Sequence, residues 1–192
     1  MEKQEERLLR RAKRGDERAF EELVRLYEGA VFSYAVSMLG SRQDAEEVTQ
    51  DVFVKLWRTT AQFRGACSVS TWIMRIARNA VTDRLRTRRE ETLPLYTENG
   101  AGEEYELPLI DEDPDHNPPQ AHERAEKIAT VRRAIAALPE DHREVIILRD
   151  LGGYSYAEIA EMLSLEDGTV RSRLNRARQN LKKILESWNF SP

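Results

Sequence analysis

Cysteine and histidine are scarce in this sequence: Cys67 is the only cysteine, and the three histidines, His116, His122 and His142, are scattered. A single cysteine excludes a disulfide framework within the chain, and no histidine stands beside it or in the spacing of metal ligands. The sequence also lacks a glycine-rich phosphate loop and any Ser–His or Cys–His arrangement that could be argued as a nucleophile with its base. We therefore predict no enzyme, no metal site and no cofactor, and the cysteine usage fits a reducing cytoplasm.

Long hydrophobic runs are absent as well. No apolar run approaches the roughly 20 residues that a membrane-spanning helix needs, and the N-terminal segment MEKQEERLLRRAKRGD is too charged for a secretory signal. Aromatic residues make up 7% of the chain, whereas charged residues make up 33%. This composition is typical of a soluble, helix-rich protein, and 192 residues suffice for one medium-sized domain or two small ones.

Lysine and arginine are missing from one part of the chain. Residues 91–123 contain neither, but they hold ten acidic residues, five prolines and two glycines. Residues 1–90 have 18 basic against 14 acidic side chains, and residues 124–192 have 12 against ten. The pattern predicts two mildly basic domains joined by an acidic linker with little regular structure, after which helices resume near Ala121.

The most informative stretch lies near the C-terminus. Ser155 and Glu158 have the spacing of a capping box, which predicts a helix beginning there, and residues 164–167 leave room only for a turn. A second helix follows, with apolar residues spaced four, three, four and three apart along one stripe: Val170, Leu174, Ala177, Leu181 and Ile184. Two short helices joined by a tight turn predict a helix-turn-helix.

The polar side of this second helix favours DNA binding. Residues 170–184 include six basic residues and no acidic one, whereas a merely solvated face usually mixes both signs. At about 100° per residue, the side chains opposite the apolar stripe are Ser172, Asn175, Arg176 and Gln179. Such side chains reach base edges and phosphates in the major groove. The alternative is a solvated amphipathic hairpin in an all-helical core.

Four helices are predicted in the N-terminal domain: residues 5–14, Glu17–Leu39 ending at Gly40, 41–57 capped by Ser41, and a fourth beginning at Thr71. The third has an acidic outer face, formed by Asp44, Glu47 and Asp51 with Gln50 beside them, while Phe53 and Trp57 are assigned to the core. On residue chemistry alone this face is a solvated surface. The alternative is a docking site for a basic partner.

The fourth helix has a basic face opposite its apolar one. That face consists of Arg75, Arg78, Asn79, Thr82, Arg86 and Arg89, and the aromatic residues Phe63 and Trp72 precede it. Cations that follow phosphates, next to aromatic side chains that accept unstacked bases, are typical of single-stranded DNA binding. The alternatives are that Trp72 belongs to the core and that the arginines are solvated.

Three segments resemble one family. Residues 156–178 have the form Y-x-E-I-A-x-x-L-x-x-x-x-G-T-V-x-S-R-L-x-R-A-R, residues 44–57 read DAEEVTQDVFVKLW, and residues 63–86 have the form F-R-G-x-x-S-x-S-T-W-I-x-R-I-A-R-N-x-x-x-D-x-x-R. In this order, and over about 150 residues of both ends, they resemble extracytoplasmic-function (ECF) sigma factors of the sigma-70 family. One departure lies in the helix-helix turn, where the family often has glycine and proline and this chain has Ser164 and Glu166.

The resemblance implies an all-α fold with a four-helix σ2 domain at 1–90 and a σ4 helix-turn-helix domain at 124–192, joined by the flexible acidic linker 91–123. It implies that σ4 reads the upstream (−35) promoter element as duplex, through Thr169, Arg171, Ser172, Arg173, Asn175, Arg176 and Gln179. It implies that σ2 opens and holds the single-stranded −10 element, capturing a flipped base, through Phe63, Arg64, Trp72, Arg75, Arg78, Asn79, Asp83 and Arg86. It assigns polymerase docking to Asp44, Glu47, Gln50 and Asp51.

The partners implied are core RNA polymerase, through its β′ clamp helices and β flap, promoter DNA in duplex and single-stranded form, and an anti-sigma factor. The resemblance further implies a monomeric cytoplasmic protein without membrane insertion, in which the acidic linker occupies a basic channel of the polymerase. Two alternatives remain. One is a stand-alone helix-turn-helix regulator that binds a palindrome as a dimer; the other is an interaction protein whose helices mainly bind a partner.

Overall fold

In the computed structural model of the protein, residues 2–91 and 118–190 are described. Within them the chain forms eight α-helices and no strand, which confirms the predicted all-α fold. In chain order the helices are α1 (Glu2–Ala12), α2 (Glu17–Leu39), α3 (Arg42–Thr59), α4 (Val69–Glu91), α5 (Pro118–Ala136), α6 (Glu140–Ile146), α7 (Tyr156–Leu163) and α8 (Asp167–Ser187). The predicted linker lies mostly outside the described residues, although α5 begins within it, at Pro118.

Local chemistry sets the boundaries of the N-terminal helices. Asp16 caps α2 by accepting a hydrogen bond from the Ala19 amide at 3.1 Å. Gly40 ends α2 in the left-handed region, at φ 65°, which glycine adopts at little cost. Ser41 Oγ then accepts from the Asp44 amide at 3.2 Å and begins α3. The predicted span of α2 and the predicted cap of α3 are confirmed.

The N-terminal domain packs α1 to α4 around one apolar centre. Each of the four helices contributes fully buried side chains, among them Leu8, Leu23, Val31, Leu56 and Ile73. Helix α4 begins at Val69, two residues before the predicted start. Because these residues fix which side of α3 and α4 faces inward, they also determine which side chains of those helices are left for partners.

Helices α7 and α8 form the predicted helix-turn-helix. Ser155 Oγ accepts from the Glu158 amide at 3.3 Å, and the Glu158 carboxylate accepts from the Ser155 amide at 2.8 Å, so the capping box is confirmed. The inward faces of the two helices are fully or nearly fully buried at Ile159, Leu163, Val170, Leu174 and Ala177. Helix α6 packs against α8 and supports it from behind.

Ser164 ends α7 in the left-handed region, at φ 54°. A residue with a Cβ costs about 1–2 kcal/mol in this conformation, and glycine removes that cost. Part of the stability gained is lost again, because glycine also increases the backbone entropy of the unfolded chain. We expect Ser164→Gly to raise the free energy of unfolding by about 0.5–1 kcal/mol, measured by denaturant titration. Ser172→Gly, in the interior of α8, is the control and should lower it by a similar amount. A fall in both variants would contradict the assigned backbone conformation.

The two domains share one apolar core. Helix α7 packs on α4, and α6 with the π-helical turn that follows it (Ile147–Leu151) packs on α2. At this junction the hydroxyl groups of Ser70 and Tyr154 form a hydrogen bond of 3.0 Å. The sequence had left the relative packing of the domains open, and the structure answers it with a closed arrangement.

Candidate nucleic-acid interface

The exposed stripe of α8 matches the predicted DNA-reading surface. Ser172, Asn175, Arg176 and Gln179 are exposed on the side opposite Val170, Leu174 and Ala177. The stripe runs from Ser172 to Gln179, which is seven steps along the helix or about 10 Å at 1.5 Å per residue. At about 3.4 Å per base along a strand, that length corresponds to about three base pairs. The surface therefore has the length and the side chains for readout in a major groove.

The arginines of α8 differ in what they contact. Arg176 is exposed and has no ion-pair partner among the described residues. Arg173 is turned towards α6, with a side chain that is 25% exposed and an Nε 3.7 Å from an Asp141 carboxylate oxygen. Base readout needs a free guanidinium. The structure therefore separates two arginines that the sequence had treated alike, and it favours Arg176.

Arg171 lies next to the first helix of the motif. Its guanidinium carbon is 5.9 Å from the centroid of the Tyr156 ring, and that of Arg149 is 5.1 Å from the same ring. Arg149 also donates to the Tyr154 carbonyl oxygen at 2.7 Å. The Tyr156 ring thus lies against the N-terminal arginine of the recognition helix and against Arg149, contacts that sequence reasoning missed.

Arg178 holds α8 to the turn that precedes the motif. Its Nε donates to an Asp150 carboxylate oxygen at 3.1 Å, and a second nitrogen contacts the other oxygen. The hydrogen bonds to Asp150 raise the pKa of the Arg178 guanidinium. Paired contacts of this kind fix a planar guanidinium in place, so Arg178 positions the recognition helix.

Two more predicted residues lie at the start of α8. Thr169 is exposed in its first turn, and Ser172 Oγ donates to the Thr169 carbonyl oxygen at 3.0 Å. The first turn of a helix presents amide N–H groups without intrahelical partners, which favours phosphate contacts. Thr169 is therefore exposed beside the recognition stripe, at the end of α8 that favours phosphate, and its role in DNA binding stays a prediction.

The predicted single-strand site begins at the loop before α4. Phe63 is half-buried and tilted at 40° against Trp72, with ring centroids 4.8 Å apart. Trp72 is only 8% exposed. Its assignment as a direct DNA contact needs correction, because a buried ring cannot stack on a base. Trp72 supports Phe63, which lies at the surface with the exposed Arg64.

An open pocket of about 300 Å³ lies beside this loop. One wall is the loop itself, at Phe63, Arg64, Gly65 and Cys67, and the other is α1, at Glu6 and Arg10, with Lys13 directly after it. The Lys13 ammonium donates to the Phe63 carbonyl oxygen and lies 5.4 Å from the centroid of its ring. Sequence analysis missed the contribution of α1. Its run of basic residues was a signal, but their position beside the loop depends on packing.

The basic face of α4 divides into two parts. Asn79, Asp83 and Arg86 are exposed, and an Arg86 nitrogen lies 3.3 Å from an Asp83 carboxylate oxygen. Arg75 and Arg78 instead face the C-terminal domain. Arg75 is 3.8 Å from the Glu161 carboxylate, and Arg78 Nε donates to Glu144 Oε1 at 3.3 Å.

Glu144 is the centre of the contact between the domains. The residue is 7% exposed, and its Oε1 also accepts a hydrogen bond from the Tyr34 hydroxyl at 2.9 Å. Burial, together with the neighbouring Glu144 charge, raises the pKa of Tyr34 well above its ordinary value. Two side chains of the N-terminal domain therefore hold one buried carboxylate of the other domain.

The predicted docking face lies on α3, where Glu47, Gln50 and Asp51 are exposed in one stripe that continues to Val54. Asp44 does not belong to that exposed surface. It accepts hydrogen bonds from the Arg84 guanidinium of α4, one of them from Nε at 3.0 Å, and its side chain is only 14% exposed. Asp44 is therefore better explained as a link between α3 and α4.

The two aromatic residues of α3 also differ. Phe53 is buried, as predicted, whereas Trp57 is 39% exposed and packs edge-on against Phe20 with ring centroids 4.7 Å apart. The assignment of Trp57 to the core was therefore wrong. Its ring lies at the border of the α3 surface, where it is accessible to a partner.

The part of the chain that the structure describes offers neither a metal site nor a membrane-spanning helix. Across residues 2–91 and 118–190 no group of three or more His, Cys, Asp or Glu side chains could hold a metal ion. None of the described helices combines the length and the apolar character needed to cross a membrane. The notable side-chain clusters are those of the basic and acidic surfaces above.

Comparison with known proteins shows which family the chain belongs to. Two family profiles match the chain: Sigma-70 region 2 over residues 23–91, and Sigma-70, region 4 over residues 128–181. The RNA polymerase sigma-H factor of Pseudomonas aeruginosa is 37% identical over 185 residues, which cover 95% of this chain and 94% of that protein. The ECF RNA polymerase sigma-E factor of Escherichia coli is 36% identical over 176 residues, covering 90% and 89%.

A solved structure has the same fold. The sigma factor RpoE from Bartonella quintana, in complex with the anti-sigma factor NepR, aligns with a TM-score of 0.66 and 26% identity, covering 87% of this chain and 96% of that chain.

Two helical domains in this order, the second a helix-turn-helix, define a sigma factor, and the chain belongs to the sigma-70 family. Similarity to the E. coli protein and to another ECF sigma-E factor, over about nine tenths of each chain, assigns it to the ECF group of that family. The alternative of a stand-alone regulator is not favoured, since the match includes region 2 as well as the helix-turn-helix.

Proposed function

We propose that this chain directs bacterial core RNA polymerase to a specific set of promoters and initiates transcription there, with each surface described above in a separate role. The observation that carries the proposal is the pairing of two different basic faces on one chain. One is a free helical stripe on α8 suited to duplex DNA, and the other is an arginine face on α4 beside a loop pocket suited to single strands. A regulator of duplex DNA needs only the first.

Promoter recognition falls to α8. Asn175, Arg176 and Gln179 read base edges of the −35 element, and Arg171 and Thr169 contact phosphates at its rim. Arg173 and Arg178, which are paired with Asp141 and Asp150, hold the helix at its angle to the domain. Water and the shape of the groove add to the readout.

Strand opening falls to α4 and its loop. Flipping one base out of the stack costs a few kcal/mol, and a pocket of about 300 Å³ next to Phe63 offers space for that base. Asn79, Asp83 and Arg86 are exposed on the same helix and are the proposed contacts to the rest of the strand. The correct base offsets the cost of flipping only when its polar groups are satisfied in the pocket.

Polymerase docking falls to α3. Glu47 and Asp51 supply negative charge on an exposed stripe, Gln50 supplies an amide, and Val54 supplies apolar area beside them. A basic, partly apolar helical surface such as the β′ clamp helices is complementary to that stripe. The β flap is the corresponding partner of the C-terminal domain.

Membership of the family supports further parts of the proposal. The chain acts by binding and not as an enzyme, it works in the cytoplasm where the polymerase is found, and it functions as a monomer. Since the Bartonella sigma factor was solved with the anti-sigma factor NepR, an anti-sigma factor is the expected inhibitor of this chain.

Run-off transcription tests the proposal. The purified chain is mixed with sigma-free bacterial core polymerase and a fragmented genomic library, and the transcripts are sequenced. We expect discrete start sites that share two upstream sequence elements. No specific transcripts and no complex with core polymerase on a native gel, in the absence of any inhibitor, would refute it.

A further inference from the structure

We propose that the free chain is held closed by a latch between its two domains, formed by Tyr34, Arg78 and Glu144, and that closure masks part of the arginine face of α4 from single-stranded DNA. The inference rests on the proposed function of α4 and adds a regulatory step to it. Opening of the latch is then required before the −10 strand can be held.

The latch has a geometry that only the closed chain can supply. Glu144 is buried, and the donors to its Oε1, the Tyr34 hydroxyl at 2.9 Å and Arg78 Nε at 3.3 Å, both belong to the N-terminal domain. A buried carboxylate is costly unless it is paired and hydrogen-bonded. Since both partners come from the other domain, Glu144 is satisfied in its buried position only when the domains are docked in this register.

The arginine face of α4 is masked because its arginines pair with acidic residues of the C-terminal domain. Arg75 and Arg78 were predicted to bind the single strand, and in the closed chain they lie against Glu161 and Glu144. Arg89, on the same side of α4, contacts the Glu140 carboxylate at 2.6 Å. Carboxylate and phosphate make similar paired contacts with a guanidinium. Three acidic residues of the C-terminal domain therefore occupy positions where DNA phosphates would bind.

Other contacts give the closed form a defined register. A half-buried Arg143 nitrogen donates at 3.1 Å to the carbonyl oxygen of Met38, in the last turn of α2. Carbonyl groups in the last turn of a helix lack intrahelical donors and carry partial negative charge, which favours a cation there. The Ser70 to Tyr154 hydrogen bond of 3.0 Å closes the same interface near the loop.

The latch is also suited to opening. The Arg75 to Glu161 and Arg89 to Glu140 pairs are largely exposed, and exposed ion pairs contribute little net stability. Between Glu91 and Pro118 the chain has 26 residues, a length that reaches up to about 90 Å when extended. Polymerase docking on α3 and DNA binding on α4 can therefore compete with closure, because the connection is long enough for the two domains to separate.

Two substitutions test the latch. Glu144→Ala removes the shared acceptor, and Tyr34→Phe removes one donor without changing charge. Both substitutions destabilise the closed form and not the open form, because in the open form the Glu144 carboxylate and the Tyr34 hydroxyl face water. We expect the radius of gyration, measured by small-angle X-ray scattering, to increase in both variants, and binding of a fluorescein-labelled mixed-sequence single-stranded oligonucleotide to tighten about tenfold for Glu144→Ala.

A separate variant controls for the effect of net charge on DNA affinity. Glu144→Ala makes the chain less acidic, which by itself favours DNA, so Glu126→Gln on the exposed side of α5 is the matched control. It should change affinity much less and leave the radius of gyration unaltered. Tyr34→Phe keeps the ring that fills the core, so it remains informative if Glu144→Ala fails to fold, which circular dichroism reports.

The outcomes separate the latch from the function it regulates. An already extended parent chain, or variants with the parent's radius of gyration, would overturn the latch, and so would a larger radius without tighter DNA binding. Run-off transcription by the parent chain with core polymerase judges the proposed function independently. Active transcription with an unchanged radius would reject only the latch, whereas an inactive chain whose radius and DNA affinity respond would reject only the sigma role.

Discussion

Reversing the charge of Glu47 and Asp51 together, to arginine, is expected to reduce run-off transcription about 100-fold or more. Both carboxylates are exposed on the same stripe of α3, and the proposed polymerase surface is basic. Two attractive contacts then become repulsive ones, and like charges in a protein interface cost several kcal/mol. Because each 1.4 kcal/mol is a factor of ten in an equilibrium constant, two repulsive contacts account for a loss of this size, and the substitution also removes the Glu47 carboxylate that lies 3.5 Å from an Arg84 nitrogen.

The measurement pairs transcription with a native-gel assay for the complex with core polymerase. The control is Glu46→Arg, since Glu46 lies on the same helix outside the stripe, in an exposed pair with Arg42. It should retain most of the activity. Binding of isolated duplex DNA by the double variant should be unchanged. Full transcription by the double variant would show that polymerase docks elsewhere.

Removing the Arg176 side chain should have the next largest effect. Arg176→Ala is expected to lower transcription from the cognate promoters, and binding to their −35 duplex, by about 10- to 100-fold, because a paired contact with a base contributes about 1–3 kcal/mol of discrimination. The reduction should be concentrated at one or two base positions. Measuring binding to a set of duplexes with single base changes locates them.

Arg173→Ala is the matched control, and it tests the structure against the sequence. The two arginines are three positions apart in one motif, but Arg173 faces Asp141 and is partly buried, whereas Arg176 is exposed without an ion-pair partner among the residues that the structure describes. We expect Arg173→Ala to relax specificity little and to lower stability modestly. Equal loss of base discrimination in both variants would refute the distinction drawn from their contacts.

Several features of the fold follow directly from local sequence. The span of α2 could be predicted because Asp16 and Gly40 supply a cap and a left-handed end at its two termini. The helix-turn-helix could be predicted because the capping box at Ser155 and the spacing of apolar residues in α8 are properties of a few neighbouring positions. The motifs of both regions were equally readable, which is why the family could be named from the sequence.

Other assignments failed for a common reason. Asp44 and Trp72 were assigned as site residues from the family resemblance, and Trp57 was assigned to the core; the structure changes each one because of what packs around it. Arg84 binds Asp44, Trp57 lies at the edge of the core, and Trp72 is covered by its neighbours. Helical spacing gives the direction of a side chain from its own axis but not the distance to the next helix.

The sequence by itself determined the helical fold, the two domains, the helix-turn-helix and the family, since each depends on periodicity, capping and motif order along the chain. Only the tertiary structure decided which charges are free. It brings Lys13, just after α1, to the Phe63 loop, separates Arg173 from Arg176, and holds Arg78 against Glu144 of the other domain. The physical reason is that the environment of a charge is set by its neighbours in space, and those neighbours lie up to 110 positions away along the chain, as between Tyr34 and Glu144.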